Sequence, residues 1–319
     1  MVSKNIKSLI FNRQLLVLVA IILVAIIVLP QFSAFSGSIN KITSLDIKLA
    51  VVAFVLILGT YFAGAGTYYF LARKPLRYGL TVVVQFCAMF VNRILPAGIG
   101  AIGVNFGYLK RFGHTNIQSG TIVGLNNLLG FFGNFLIIIV ALLLSGITLP
   151  QESAITGNEL YLLVALPGVI LLVYFLINKK RRNKLLKSLI SVKTLLLAYA
   201  DEPFILLKAL FSSMALTILH MLSLLCSMYA IGGSVSFAVV VLVFSLGVGV
   251  GASVPTPGGL GGVEAGMVAG FVAFGMPANT ALAGVLLYRL ISFWMPLVLG
   301  GLAFVYVQNK GLVRFKNTK

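Results

Sequence analysis

The chain has 319 residues, 60% of them hydrophobic and only 9% charged, with a mean hydropathy of +1.08. Soluble domains carry about 25% charged residues, so a soluble or disordered chain is excluded. The net charge of +18, from 24 basic and 6 acidic residues, would suggest nucleic acid in a soluble protein; here the charges lie between apolar runs and read as topology signals, with anionic headgroups as a secondary contact. What remains is an all-α polytopic integral membrane protein: runs long enough to span a bilayer recur, and the alternation of an outer-membrane barrel is absent.

Lys4, Lys7 and Arg13 precede an apolar run from Leu15 to Leu29. No A-x-A cleavage site follows, so this run reads as an uncleaved first span over about 14–31. Further spans are predicted over about 47–71, 117–145, 160–177, 204–230 and 280–304. The apolar regions 79–107 and 236–275 are each interrupted, by Leu95-Pro96-Ala97-Gly98-Ile99-Gly100 and by the run from Pro255 to Gly262. Proline breaks the helical ladder and glycine lowers helix propensity, so each region divides into two arms. Residues 183–203 put Leu185, Leu189, Val192 and Leu196 on one face and Lys184, Lys187, Ser191 and Thr194 on the other, the pattern of an interfacial linker helix. Lys179, Lys180, Arg181 and Arg182 before it read first as a stop-transfer cluster, second as a headgroup contact.

With the N-terminus in the cytoplasm, most of the 24 basic residues fall on one face if both interrupted regions return to the side they entered. The positive-inside rule thus favours about six full spans plus two broken, re-entrant hairpins, with both termini cytoplasmic. Two short crossings per region have the same parity and remain open. Pro96–Ile102 aligns with Pro257–Val263 at an offset near half the chain. The expectation is one membrane domain over 1–319 made of two inverted repeats, about 1–150 and 160–319. Broken-helix sites in such folds lie where the tips meet near the midplane.

Ionisable residues inside the membrane are expensive and default to function. Arg93 lies just before the first tip, Glu264 just after the second, and Arg289 in the last span. The arginines suit a lipid phosphate through paired N–H donors; Glu264 suits an amine headgroup, a proton or an arginine. An Arg–Glu pair locking the two hairpins together is the competing reading. Gly259 and Gly261 can open a half-helix whose N–H groups face an anion. Gly262, Gly266 and Gly270, like Gly120 and Gly124, recur at helical spacing and read as packing positions. Asn92 and Asn105 flank the first tip and are expected to line the site. Gln85, Asn126, Asn127 and Asn134 read as interhelical hydrogen-bond partners, His220 as a satisfied core histidine, and His114 as part of a solvated basic loop. Cys87 and Cys226 lie in apolar runs and read as small buried side chains. No metal spacing, nucleotide loop or catalytic triad is visible, so no metal, cofactor or nucleic acid is expected.

The run from Val254 to Glu264, with its P-x-P-G-G-x-G-x-x-E pattern, and Leu287-Tyr288-Arg289 through Trp294 resemble the lysylphosphatidylglycerol synthase transmembrane (flippase-like) family. Asn92-Arg93-Ile94-Leu95-Pro96-Ala97-Gly98 is similar to the family's earlier motif. In fused members the membrane part is thought to move aminoacylated phosphatidylglycerol between leaflets, while a C-terminal domain makes that lipid from aminoacyl-tRNA. The chain ends at Lys319 without a counterpart of that domain, so the resemblance implies a stand-alone, non-enzymatic member. It supports site roles for Arg93, Glu264 and Arg289; Tyr288, next to Arg289, is also expected to contact the substrate.

The function this implies is a lipid flippase of a prokaryotic plasma membrane. Its cargo would be an anionic or aminoacylated phospholipid, or a polyprenyl-linked lipid, with a separate synthase or glycosyltransferase as a partner and an oligomer compatible with the sequence. The alternatives are an ion-coupled small-solute transporter, with Glu264 as proton carrier, and an accessory membrane subunit of a lipid-modifying enzyme.

Overall fold

The computed structural model describes residues 45–95, 98–145, 197, 199–254 and 256–313. The predicted spans 14–31 and 160–177, and the linker helix up to residue 196, lie outside the described residues. Within them the chain is all-helical. Helix α1 is Ile47–Leu71, α2 Tyr78–Ile94, α3 Ile99–Arg111, α4 Asn116–Ser145, α5 Pro203–Ala230, α6 Phe237–Ser253 and α7 Gly262–Ala273. The continuous helix α8, Ala278–Asn309, carries a π-helical segment at Leu290–Trp294. Four helices, α1, α4, α5 and α8, are long and apolar enough to cross a membrane.

Charges and caps place the ends. Asp46 caps α1, its carboxylate accepting from the backbone N–H groups of Lys48 at 2.9 Å and Leu49 at 3.2 Å, which satisfies orphan donors of the first turn. Thr115 and Gln118 open α4 with reciprocal side-chain-to-backbone bonds at 2.9 and 3.2 Å, a capping box. Pro203 occupies the first turn of α5, where its missing N–H is harmless. The chain turns at Tyr199–Asp201, so the predicted linker helix does not run to 203.

Helices α1 and α5 form an antiparallel axis. The Asp46 N–H donates to the Ala230 carbonyl at 2.9 Å at one end, and the Ser223 hydroxyl to the Ala53 carbonyl at 2.9 Å further along. Gly59, Gly64 and Gly66 face Leu219, Leu216 and Ser212, and the small residues let the backbones approach. At the other end the Tyr199 hydroxyl donates to the last carbonyl of α1, Leu71, at 2.6 Å. Arg73 lies over the Tyr199 ring and pairs with Glu202 at 2.7 Å.

Each interrupted region folds back on itself, as the sequence predicts. Because α2 follows α1 and α6 follows α5, the two hairpins start at opposite ends of the antiparallel axis. The α2–α3 hairpin is closed by polar pairs: Thr81 with Tyr108 at 2.9 Å, and Gln85 with Asn105 at 2.8 Å. The α6–α7 hairpin is closed by small residues. A Cβ on Gly266 would stand 3.0 Å from the Cα of Gly247, and one on Gly270 3.0 Å from Val243. Gly262 similarly approaches Gly251, so this stripe serves packing as predicted. Gly120 does not: it is exposed, and a Cβ there would meet nothing within 4 Å.

One buried apolar cluster surrounds the α6–α7 hairpin and a second the α2–α3 hairpin. Asn134 accepts from the Ser245 hydroxyl at 3.2 Å, tying α4 to α6. The outer face of α4 is strongly apolar and exposed, with Phe131, Leu143 and Leu144 prominent. In a span this is the lipid-facing side.

His114 departs from expectation. It is buried, its Nδ1–H donating to the Leu109 carbonyl at 3.0 Å and its Nε2 accepting the Lys74 N–H at 3.2 Å. It pins the α3–α4 loop to the α1–α2 loop. Burial, helped by the charge of Lys74 and opposed by the Leu109 carbonyl, lowers its pKa below the ordinary histidine value. A basic neighbourhood reads as solvated in sequence because chain separation hides which loops meet.

Candidate functional site

The second hairpin turns through Pro257–Gly259, a short 3-10 turn with Gly258 at φ 61° and Gly259 at φ 67°. Gly261, at φ 85°, starts α7. These left-handed angles favour glycine. At Gly258 a second constraint applies, because a Cβ there would overlap the Phe293 ring. Gly261 has no side chain with which to cap α7. Glu264 caps it alone, reaching back so that its Oε2 accepts the Gly261 N–H at 2.8 Å.

The other oxygen of Glu264 accepts from Nε of Arg289 at 2.6 Å. Arg289 Nη2 donates to the Gly258 carbonyl at 3.3 Å. The pair is nearly enclosed, with side-chain exposures of 9% for Arg289 and 12% for Glu264. Removing one partner of such a pair costs about 3–5 kcal/mol. The ion pair joins α7 to α8 and not one hairpin to the other, which corrects the competing sequence reading.

Arg93 reaches the same place from the first hairpin. Its Nη2 donates to the Ser292 carbonyl at 2.6 Å and, more weakly, to the Tyr61 hydroxyl at 3.5 Å. The Ser292 carbonyl is free for this because its i+4 residue is Pro296, which has no N–H. The π segment widens the helix here, the Met295 N–H donating to the Leu290 carbonyl, and π-bulges frequently accompany functional sites. The guanidinium of Arg93 lies 5.1 Å from the Phe293 centroid and that of Arg289 lies 4.9 Å from it. One ring therefore faces two cations, a cation–π arrangement worth about 0.5–2 kcal/mol per contact. Arg93 Nη1 is buried and has no hydrogen-bond acceptor among the described residues.

The remaining predicted residues divide. Tyr288 is buried beside Arg289, its hydroxyl 3.0 Å from Nδ1 of His220; His220 is partnered as expected, but half-buried rather than in the core, and stacked on Phe244. Asn92 accepts the Ala101 N–H at 3.4 Å, serving the start of α3. Asn105 is 1% exposed, held by Gln85 and the Ala101 carbonyl inside the first hairpin, away from the arginines. The N–H groups of Gly259 and Gly261 are taken by Thr256 and Glu264. Sequence reasoning missed Tyr61, Phe293 and the Ser292 carbonyl. Pro296, four residues after Ser292 in a span, is the signal that a carbonyl is free there.

A polytopic helical membrane protein with two broken hairpins meeting at a largely enclosed Arg–Glu–Arg cluster is the class that this geometry defines. The chain belongs to the family of the lysylphosphatidylglycerol synthase TM region, whose model matches residues 15–300. It is similar to a UPF0104 membrane protein of Methanothermobacter thermautotrophicus, 41% identical over 73 residues, 23% of this chain and 22% of that protein. A UPF0104 membrane protein of Pyrococcus horikoshii is 36% identical over 84 residues, 26% of this chain and 24% of its own. The aligned stretches thus span less than a quarter of either relative.

Proposed function

We propose that the protein is a lipid translocator, and that the cluster at the hairpin tips receives a lipid phosphate. The carrying observation is Arg93. A guanidinium delivered into an apolar bundle, with a buried Nη1 lacking an acceptor, is a cation arranged for an anion from elsewhere. The exposed apolar faces let acyl chains remain in the bilayer while the headgroup enters. Membership of the family supports a lipid cargo, aminoacylated or anionic phospholipid among the candidates.

Two inverted repeats, about 1–150 and 160–319, in the plasma membrane with both termini cytoplasmic, complete this reading. The opposite entry of the two hairpins and the clustering of basic segments on one face support it. The test is headgroup exposure in proteoliposomes carrying fluorescent phospholipids. We expect headgroup-selective movement that Arg93→Ala and Arg289→Ala abolish. Wild-type movement in both folded variants would sink the assignment.

A further inference from the structure

The cluster's charge arrangement carries more than the presence of an anion site. Two guanidinium groups, Arg93 and Arg289, share the Phe293 ring with one carboxylate, Glu264. They differ in what they already hold. Arg289 is committed through Nε to Glu264 and through Nη2 to the Gly258 carbonyl. Among the described residues, Arg93 touches only neutral oxygens, those of Ser292 and Tyr61, and keeps a buried Nη1 unpartnered. Glu264 also takes the Gly261 N–H at the start of α7, a position where a helix N-terminus would otherwise meet an anion.

We infer that Glu264 is a resident counter-anion that sets the valence of the ligand: the site has a surplus of one positive charge, on Arg93, and takes a singly charged phosphodiester in preference to a doubly charged phosphomonoester. This rests on the reading that the arginine cluster meets a phosphate, and it makes Glu264 a specificity-determining residue. A single phosphodiester charge pairs with Arg93 and leaves the Glu264–Arg289 pair intact. A dianion brings a second charge against the Glu264 carboxylate, and in a low-dielectric site unbalanced charge is costly. Neutralising Glu264 frees Arg289 and raises the surplus to two. Neutralising Arg289 as well returns it to one.

The chain carries a single tryptophan, Trp294, whose ring centroid lies 5.0 Å from that of Phe293, so its fluorescence reads the site directly. The full chain in detergent micelles is titrated at about pH 8, where an ordinary imidazole is uncharged and a phosphomonoester is dianionic. The probes are dihexanoyl phosphatidylglycerol and dihexanoyl phosphatidic acid, with glycerophosphoglycerol and inorganic phosphate as acyl-free arms. Wild type is expected to favour the phosphodiester lipid at least about tenfold, a difference of roughly 1.4 kcal/mol. Glu264→Gln shifts the preference toward phosphatidic acid, and the double variant Glu264→Gln/Arg289→Gln shifts it back, which separates charge counting from damage to the fold. If glycerophosphoglycerol binds as tightly as the lipid, the ligand is a soluble diester; if it binds far more weakly, the ligand is the lipid; the valence rule stands in both cases. Preference for phosphatidic acid in wild type, an unchanged ratio in Glu264→Gln, or binding of neither lipid overturns it. Diester-selective binding without movement in proteoliposomes overturns the translocator reading alone, and movement without valence preference overturns this inference alone.

Discussion

Arg93 and Ser292 are joined across the junction of the first hairpin and the last helix: the guanidinium takes a backbone carbonyl that the helix itself cannot use. The 2.6 Å bond exists because Pro296 withdraws the N–H that would compete for it. A helix defect in one element thus positions the cation of another. A charge-assisted bond of this kind is worth about 1.5–3 kcal/mol.

Pro296→Ala restores the competing N–H and removes a residue that costs up to about 3 kcal/mol in a helix interior. The expected outcome is a protein with a higher Tm but slower headgroup exposure in proteoliposomes. A rise in Tm with unchanged movement would show that the Arg93 position does not depend on the Ser292 carbonyl.

Arg289→Ala leaves Glu264 enclosed with only the Gly261 N–H. We expect destabilisation of about 3–5 kcal/mol, seen as a large drop in Tm. Combining it with Glu264→Gln should recover part of that loss, because the stranded charge is gone. Equal losses in the single and double variants would argue against a tightly coupled pair.

Gly258→Ala forces a Cβ onto Phe293 from a left-handed backbone angle, so a fall in stability of at least about 1 kcal/mol is expected. Gly120→Ala, on an open face of α4, should be neutral or gain up to about 1 kcal/mol from helix propensity. Thermal unfolding of the two variants side by side checks the contrast.

Asn105→Leu strands the Gln85 amide inside the first hairpin. Membrane hydrogen bonds of this type are worth about 0.6–1.7 kcal/mol, and a loss of that size is expected. The double variant Gln85→Leu/Asn105→Leu should lose less than the sum of the two singles, because it leaves no orphaned amide. A thermal double-mutant cycle measures the coupling.

His114 must be neutral for its Nε2 to accept the Lys74 N–H. Its folded pKa lies below the unfolded value of about 6.5. Below that pH the unfolded chain takes up a proton that the folded chain resists, so this stabilisation is complete above about pH 6.5 and is lost progressively as pH falls from there through the lower folded pKa. Unfolding measured from pH 8 downward should show the loss in wild type, and His114→Gln should flatten that component.

Much of the fold is legible from charge and punctuation. Span α1 begins and ends where 47–71 is predicted, because Asp46 and Arg73 bracket an apolar run whose sole charge, Lys48, sits in its first turn. The hairpins break where Pro and Gly cluster. The three ionisable residues of the site are legible because charge inside a span has to serve something. Their partners are not, since spacing along the chain does not say which helix faces which. Glu264 meets Arg289 on α8 and not Arg93, and Asn105 turns inward to Gln85. The π segment in the last span is foreshadowed only by Pro296, and Tyr61 only by its place in three dimensions.

The two hairpins are closed by different physics, and this gives them different mechanical characters. Thr81–Tyr108 and Gln85–Asn105 lock α2 to α3 in one register, since a slip by one residue would break directional bonds inside an apolar bundle. Between α6 and α7, among the described residues, glycines meet glycine, valine and the Met267 side chain, so close packing holds this pair where directional bonds hold the other. The first hairpin is therefore sensitive to loss of a single polar partner, and the second to any side chain larger than hydrogen at the glycines of that contact.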